Sequence, residues 1–256
     1  MNDKKLLFFD IDGTLVDSNT HIIPDTTIET LKKLRAQGHI LCIATGRSLH
    51  SLCDGDFDKL IDWDAYLCNN GQAIYDRHQK LIFQTPIDPD AVASCLALAK
   101  EKDTAVFMMG EVDRITKEAD DLVHASHEFF KEPIPPVIPY DGSPVIMMIV
   151  YGDEKDFADY QKIDGIDVIP GQSCYADVVC AGYHKHIGIQ QVLDYFRMSE
   201  YIAFGDSLND VEMLRNASLG IAMGNAHEEL KKIADFITRD VGDDGIAYAV
   251  EQCKLL

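Results

Sequence analysis

Nowhere among the 256 residues does an apolar run approach the roughly 18 that a membrane-spanning helix needs. Basic residues are scarce: 23 Lys and Arg stand against 43 Asp and Glu, a formal net charge of -20. Nucleic acids and anionic membranes bind to basic surfaces, so neither is expected as a partner. An anionic substrate is still allowed, provided its site is made locally positive by a metal, a lysine or backbone N–H groups. The seven cysteines are scattered and form no CxxC pair, which argues against a disulfide framework or a structural zinc site. Cys42, Cys68 and Cys180 sit in apolar runs, where a free thiol acts as a small hydrophobe. Met1 to Lys5 lead straight into the first apolar segment without the long stretch and cleavage site of a signal peptide, so a cytoplasmic protein is expected. No internal repeat or low-complexity tract appears, and the length allows one large domain or two small ones.

What is present is a series of apolar runs that stop at polar clusters. Leu6-Leu7-Phe8-Phe9 reads as a buried strand that ends at Asp10-Ile11-Asp12-Gly13-Thr14. Asp10 and Asp12 share a side in extended backbone, so both can face one substrate. Taken alone, the stretch also fits a plain strand-to-turn junction. A helix follows from Pro24, with Ile28, Leu31 and Leu34 at helical spacing and Gly38 at its end. A second strand over His39–Ala44 ends at Thr45-Gly46-Arg47-Ser48, and a third over Ala65–Cys68 ends at Asn69-Asn70-Gly71, first of all a turn signal. Strands alternating with helices on short links predict an α/β domain with a parallel sheet covered on both faces.

From about Gln84 to Gly182 the pattern changes. Helices are expected over Asp88–Lys102, Lys117–Lys131 and Asp156–Lys162, with strands over Ala105–Met108, Val145–Tyr151, Ile166–Ile169 and Tyr175–Cys180. This block has room for its own sheet with helices on one side. We read residues 84–182 as a second domain inserted into a first made of 1–83 and 183–256. The Met108-Met109 and Met147-Met148 pairs are expected in its core. His124 and His127, three apart, read as a surface pair on a helix face rather than a metal site. The tail returns to the first pattern, with a helix over Ile187–Phe196 and a strand over Tyr201–Phe204 that ends at Gly205-Asp206-Ser207-Leu208-Asn209-Asp210.

These polar ends suit one reaction. A phosphoryl group is doubly negative and repels an anionic nucleophile unless cations neutralise the site. Asp206, helped by Asn209 or Asp210, can hold Mg2+ beside Asp10. Lys185 adds a point charge, and the Thr45 hydroxyl with the Gly46 N–H can cradle phosphate oxygens. Asp10 can then attack phosphorus in line to form an aspartyl-phosphate, while Asp12 moves the proton.

The Asp10-Ile11-Asp12-Gly13-Thr14 run, the Thr45-Gly46-Arg47 strand end, Lys185 and the Gly205–Asp210 run together resemble the four signature motifs of the haloacid dehalogenase superfamily. Thr45 follows Asp10 too closely for a domain to be inserted there, and the long insert falls between the second and third motifs, so the chain is similar to the Cof-type phosphatases. The resemblance covers the whole chain and implies a Rossmann-like core, an inserted α+β cap that selects substrate, and Mg2+. It implies Asp10 as nucleophile and metal ligand, and Asp12 as general acid/base and metal ligand through its carbonyl. Asp206 becomes the carboxylate metal ligand, and Lys185 and Thr45 the phosphate stabilisers. Asn209 becomes a phosphate contact, Asp210 a group that orients Lys185 or the metal's waters, and Arg47 a substrate contact. The family usually has Gly after the lysine, where this chain has His186.

The expected activity is hydrolysis of a small phosphorylated metabolite, such as a sugar phosphate. A phosphomutase or phosphotransferase, or a non-catalytic phosphometabolite sensor, are the alternatives. A dehalogenase needs neither a carboxylate at position 12 nor a metal ligand at 206. Glu111, Asp113 and Arg114 are candidates for selecting the leaving group.

Overall fold

The computed structural model describes residues 4–171 and 174–256, so the expectation for Met1 to Asp3 lies outside the described residues. By their contacts the residues fall into two compact units. The first comprises Met1–Thr45, Asp56–Phe83 and His184–Leu256, the second Gly46–Gly55 and Gln84–Tyr183. Gly46–Gly55, which the sequence pattern kept with the first domain, therefore groups with the second.

In chain order the first unit opens with β1 (Leu6–Phe9), α1 (Asp25–Ala36) and β2 (Ile40–Ala44). After α2 (Leu49–Asp54), which belongs to the second unit, come β3 (Ala65–Cys68), β4 (Ala73–Asp76) and β5 (Leu81–Gln84). The second unit holds α3 (Pro89–Glu101), β6 (Val106–Gly110), β7 (Arg114–Ile115), α4 (Asp121–Phe130), β8 (Val145–Tyr151), α5 (Glu154–Tyr160), β9 (Ile166–Pro170) and β10 (Tyr175–Cys180). The chain then returns with α6 (Lys185–Phe196), β11 (Ile202–Gly205), α7 (Val211–Arg215), β12 (Leu219–Ala222), α8 (Glu228–Ile233), β13 (Phe236–Ile237) and α9 (Gly245–Gln252).

The first sheet runs β13-β12-β11-β1-β2-β3-β4-β5. From β13 to β3 every pairing is parallel, and β4 turns back antiparallel on β3. β1 lies in the middle and is buried throughout, as its unbroken apolar run requires. Each of its Leu and Phe side chains contributes about 1.5–3 kcal/mol by leaving water. From β1 the chain winds outward through β2 and β3 in one direction and later through β11, β12 and β13 in the other. The carboxyl ends of β1 and β11 therefore flank the point where the winding reverses, which is where open α/β sheets bind ligands. Phe9 pairs with Phe204, their rings 4.8 Å apart, and the Asp10 N–H continues the ladder to the Phe204 carbonyl at 3.1 Å. That register brings the Asp10 and Asp206 loops together.

The second unit carries a five-stranded antiparallel sheet, β7-β6-β8-β10-β9. Its side chains alternate. Val106, Met108, Met148 and Val150 pack with Val92, Cys95, Phe157 and Tyr160 of α3 and α5. Phe107, Met109, Met147 and Tyr151 pack instead with Val123 of α4. Helices thus cover both faces, not the one side expected. The methionine pairs divide between the two clusters, one sulfur to each face. α3, α4 and α5 all start on an aspartate, Asp88, Asp120 and Asp153, whose carboxylate accepts backbone N–H groups of the first turn. Part of the acidic excess is therefore structural.

Two elements escaped the sequence pattern. β7 is only two residues long, and α8 is six residues with Leu230 as its single buried side chain, too little of either period to read. His127 is a correction. It is buried, with Nε2 3.0 Å from the Tyr151 hydroxyl, and only His124 is exposed. The seven cysteines are all free thiols. Among the described residues no helix is long and apolar enough to cross a membrane.

Candidate active site

At the carboxyl ends of β1 and β11, carboxylate oxygens of Asp10, Asp206 and Asp210 lie within 4.8 Å of one another, all three side chains buried. Lys185, the first residue of α6, is fully buried and completes the group. Its ammonium donates to Asp10 Oδ1 at 2.7 Å, to Asp210 Oδ1 at 2.7 Å and to the Ala44 carbonyl at 2.9 Å, so its three protons are all used. The other Asp210 oxygen accepts from the backbone N–H groups of Asp206 (3.0 Å) and Ser207 (3.1 Å). Asp210 therefore joins Lys185 to the β11 loop. Thr14 Oγ1 donates to Asp206 at 3.5 Å. Asp10 Oδ2 and Asp206 Oδ2 accept no hydrogen bond among the described residues.

Three carboxylates and one ammonium leave two negative charges uncompensated in a buried space. The protonation equilibria reflect this. Burial, and then the charges of Asp210 and Asp12, push the Asp10 carboxyl up to about 7 against the pull of Lys185. Burial, Asp10 and Asp210 hold Asp206 well above the usual carboxylate range. Burial alone would lower Lys185, but the carboxylates of Asp10 and Asp210 outweigh it and hold the ammonium above its ordinary value. Asp10 and Asp206 thus both sit where positive charge is short. Two hard oxygen donors with unclaimed lone pairs, Asp10 and Asp206, fit a divalent cation.

The loop that carries the two aspartates is tightly held. Gly13 has φ +83, and a Cβ there would lie 2.2 Å from Asp206 Oδ2, so only glycine allows Asp206 this close. Asn225, just past β12, donates from Nδ2 to the Gly13 carbonyl at 2.8 Å and accepts the Val241 N–H on Oδ1 at 2.8 Å. Asp12 is half-buried at the β1 end and forms an isolated bridge with Val16. Thr45 is buried at the end of β2, its N–H bonded to the Leu67 carbonyl at 2.8 Å. Asn209 accepts from Ser207 Oγ at 2.7 Å and donates to Asn70 Oδ1 at 2.9 Å. His186 points away from the cluster: its Nδ1 lies 2.8 Å from the Tyr201 hydroxyl and its Nε2 3.2 Å from Gln190. It leaves Lys185 in contact with both Asp10 and Asp210.

The sequence-derived set thus divides. Asp10, Asp206, Asp210 and Lys185 are brought into direct contact in the first unit, with Thr45, Asp12 and Asn209 on the adjoining loops. Gly46 and Arg47 group with the second unit. There Arg47 pairs with Glu132, donates to Ser51 Oγ at 3.2 Å and lies 5.8 Å over the Phe130 ring. Ser48 donates to Asp113, and burial raises the Asp113 carboxyl despite that bond. The Arg114 guanidinium donates to Asp141 (2.9 Å) and Ser143 (2.8 Å). Glu111 is exposed. Asn225 was missed, and Thr14 was read only as part of the first motif, without a role of its own. The Asn225 signal was present, since Gly224-Asn225 ends an apolar strand in the same way as the recognised motifs do.

Residues 7–250 match the model of the haloacid dehalogenase-like hydrolases. The chain belongs to that family. It is 34% identical over 259 residues to YkrA of Bacillus subtilis (strain 168), with 99% of each chain covered. It is 26% identical to the 5-amino-6-(5-phospho-D-ribitylamino)uracil phosphatase YcsE of the same organism, covering 99% of this chain and 97% of that one. Among solved structures, a sugar phosphatase of the family's subclass IIB superposes with a TM-score of 0.89 at 29% identity, covering 99% of this chain and 100% of that one. Family and relatives together make the chain a phosphatase-type hydrolase with the family's core fold.

Proposed function

We propose that this chain is a Mg2+-dependent phosphatase of small phosphorylated metabolites, sugar phosphates or similar phosphomonoesters, working through an aspartyl-phosphate on Asp10. The observation that carries the reading is the buried cluster of Asp10, Asp206, Asp210 and Lys185 with its excess of two negative charges at the winding reversal of the sheet.

Asp10, Asp206 and the main-chain carbonyl of Asp12 would hold Mg2+, which when bound neutralises charge and orients the phosphoryl group. Asp10 attacks phosphorus through the oxygen that Lys185 does not hold, and the bond from phosphorus to the leaving oxygen breaks as the new one forms. Asp12 gives its proton to the leaving oxygen. In the second half Asp12 takes a proton from water as the water attacks phosphorus, which releases phosphate and restores the Asp10 carboxylate. Lys185 limits the repulsion around Asp10, and Thr45 and Asn209 steady the phosphoryl oxygens. Selection of the leaving group is assigned to the second unit, with Arg47 and Asp113 as its candidate residues. Relatives that act on a phosphoribityl compound and on sugar phosphates favour a compact, hydroxylated substrate.

Turnover of p-nitrophenyl phosphate should require Mg2+ and stop on chelation. Undiminished hydrolysis in excess chelator would remove the cation from the reaction. A panel of phosphorylated metabolites then names the substrate class.

A further inference from the structure

The turn after β3 is conformationally costly and entirely interior. Asn69 and Asn70 both have φ +53 and Gly71 has φ +93. The two asparagines are 3% and 1% exposed. Asparagine tolerates the left-handed region better than other side chains do, but a non-glycine residue there still costs of order 1 kcal/mol. A buried run of three such residues persists only where its surroundings hold it.

Its surroundings are three of the elements that handle phosphate in the reading above, on which this inference rests. The Asn70 N–H donates to the Thr45 carbonyl at 3.0 Å. Asn70 Oδ1 accepts from Asn209 Nδ2 at 2.9 Å. Helix α6 lies directly on the turn: a Cβ at Gly188 would be 2.6 Å from the Gly71 carbonyl oxygen, and one at Gly71 would be 3.2 Å from Lys185 Cα. The side-chain bond has a further consequence. Ser207 donates to Asn209 Oδ1 and Asn70 Oδ1 accepts one Nδ2 proton, which leaves the second N–H of the amide to donate.

We propose that Asn70 is a positioning residue for phosphoryl transfer. Its strained backbone holds the Thr45 loop, and its side-chain oxygen aims the second Asn209 N–H at the phosphoryl group. Asn70→Gly keeps the turn, because glycine takes positive φ without strain, and removes only the side chain. A side chain that served folding alone would leave kcat untouched by that change, and a positioning one would not.

Asn70→Gly and Asn70→Ala are therefore compared with wild type and with Asn209→Ala, using p-nitrophenyl phosphate and Mg2+. The inference expects Asn70→Gly to keep or raise the thermal midpoint while kcat falls roughly 10- to 100-fold, the cost of a misaimed group. Asn70→Ala should lose the same kcat and also lose stability. Adding Asn70→Gly to Asn209→Ala should cost little more than Asn209→Ala alone, since both remove one interaction. In an NMR spectrum the Asn209 side-chain amide pair should shift and lose its exchange protection in Asn70→Gly. Wild-type kcat in Asn70→Gly, full additivity with Asn209→Ala, or an unmoved Asn209 amide would each overturn the inference. A wild type without turnover would sink the phosphatase reading instead, and the amide signal would still decide this one.

Discussion

Asp10 keeps its proton to about pH 7 in the folded chain, whereas an unfolded chain releases it near the ordinary carboxylate value. Between those two values the folded state binds more protons, so without a divalent cation stability should fall as pH rises through this window. A cation that takes the proton's place reverses the penalty. The gain in thermal midpoint on adding Mg2+ should therefore be larger at pH 8 than at pH 5, read by differential scanning calorimetry; a gain independent of pH would contradict the account. Gly13 supplies a second test. Gly13→Ala puts a methyl 2.2 Å from Asp206 Oδ2 at φ +83, which should cost about 1–3 kcal/mol of stability. It should also remove most of the Mg2+-induced midpoint shift, because Asp206 has to move.

Elements deliver these residues with loops that must not drift. Asn225, beyond β12, fastens the Gly13 carbonyl with one side-chain atom and the Val241 N–H with the other. Asn225→Ala should speed hydrogen exchange of the loop amides after β1 and lower kcat about tenfold, with the core strands protected as before. Unchanged exchange in that loop would remove Asn225 from the design. The elements that carry chemistry were legible in sequence for a physical reason. A buried parallel strand is an uninterrupted apolar run, and a strand that ends in Asp-x-Asp or Gly-Asp breaks that run sharply. The two-residue β7 and the six-residue α8 carry no such contrast. His127 was misread because spacing along a helix does not say which face meets a sheet; the Tyr151 hydroxyl that meets its Nε2 lies 24 residues away.

At the scale of the molecule, the sheet order explains how residues from opposite ends of the chain meet. β1 and β11 become neighbours because the chain leaves for the second unit and returns on the other side of β1. The sequence joined Asp10 and Asp206 in one site through the shared chemistry of their strand ends and the resemblance of their motifs; the register of Phe9 with Phe204 supplies the physical reason. The second unit was less readable. Its alternating strands pack on both faces, so they look alike from either side. The central claim is that Asp10 becomes phosphorylated during turnover. Rapid acid quench of wild type with p-nitrophenyl phosphate and Mg2+, followed by mass spectrometry, tests it most directly. The account predicts a transient peptide containing Asp10 that is heavier by one phosphoryl group and absent in Asp10→Asn, which should not turn over. Steady hydrolysis with no phosphorylated peptide at any quench time, or turnover by Asp10→Asn, would contradict it.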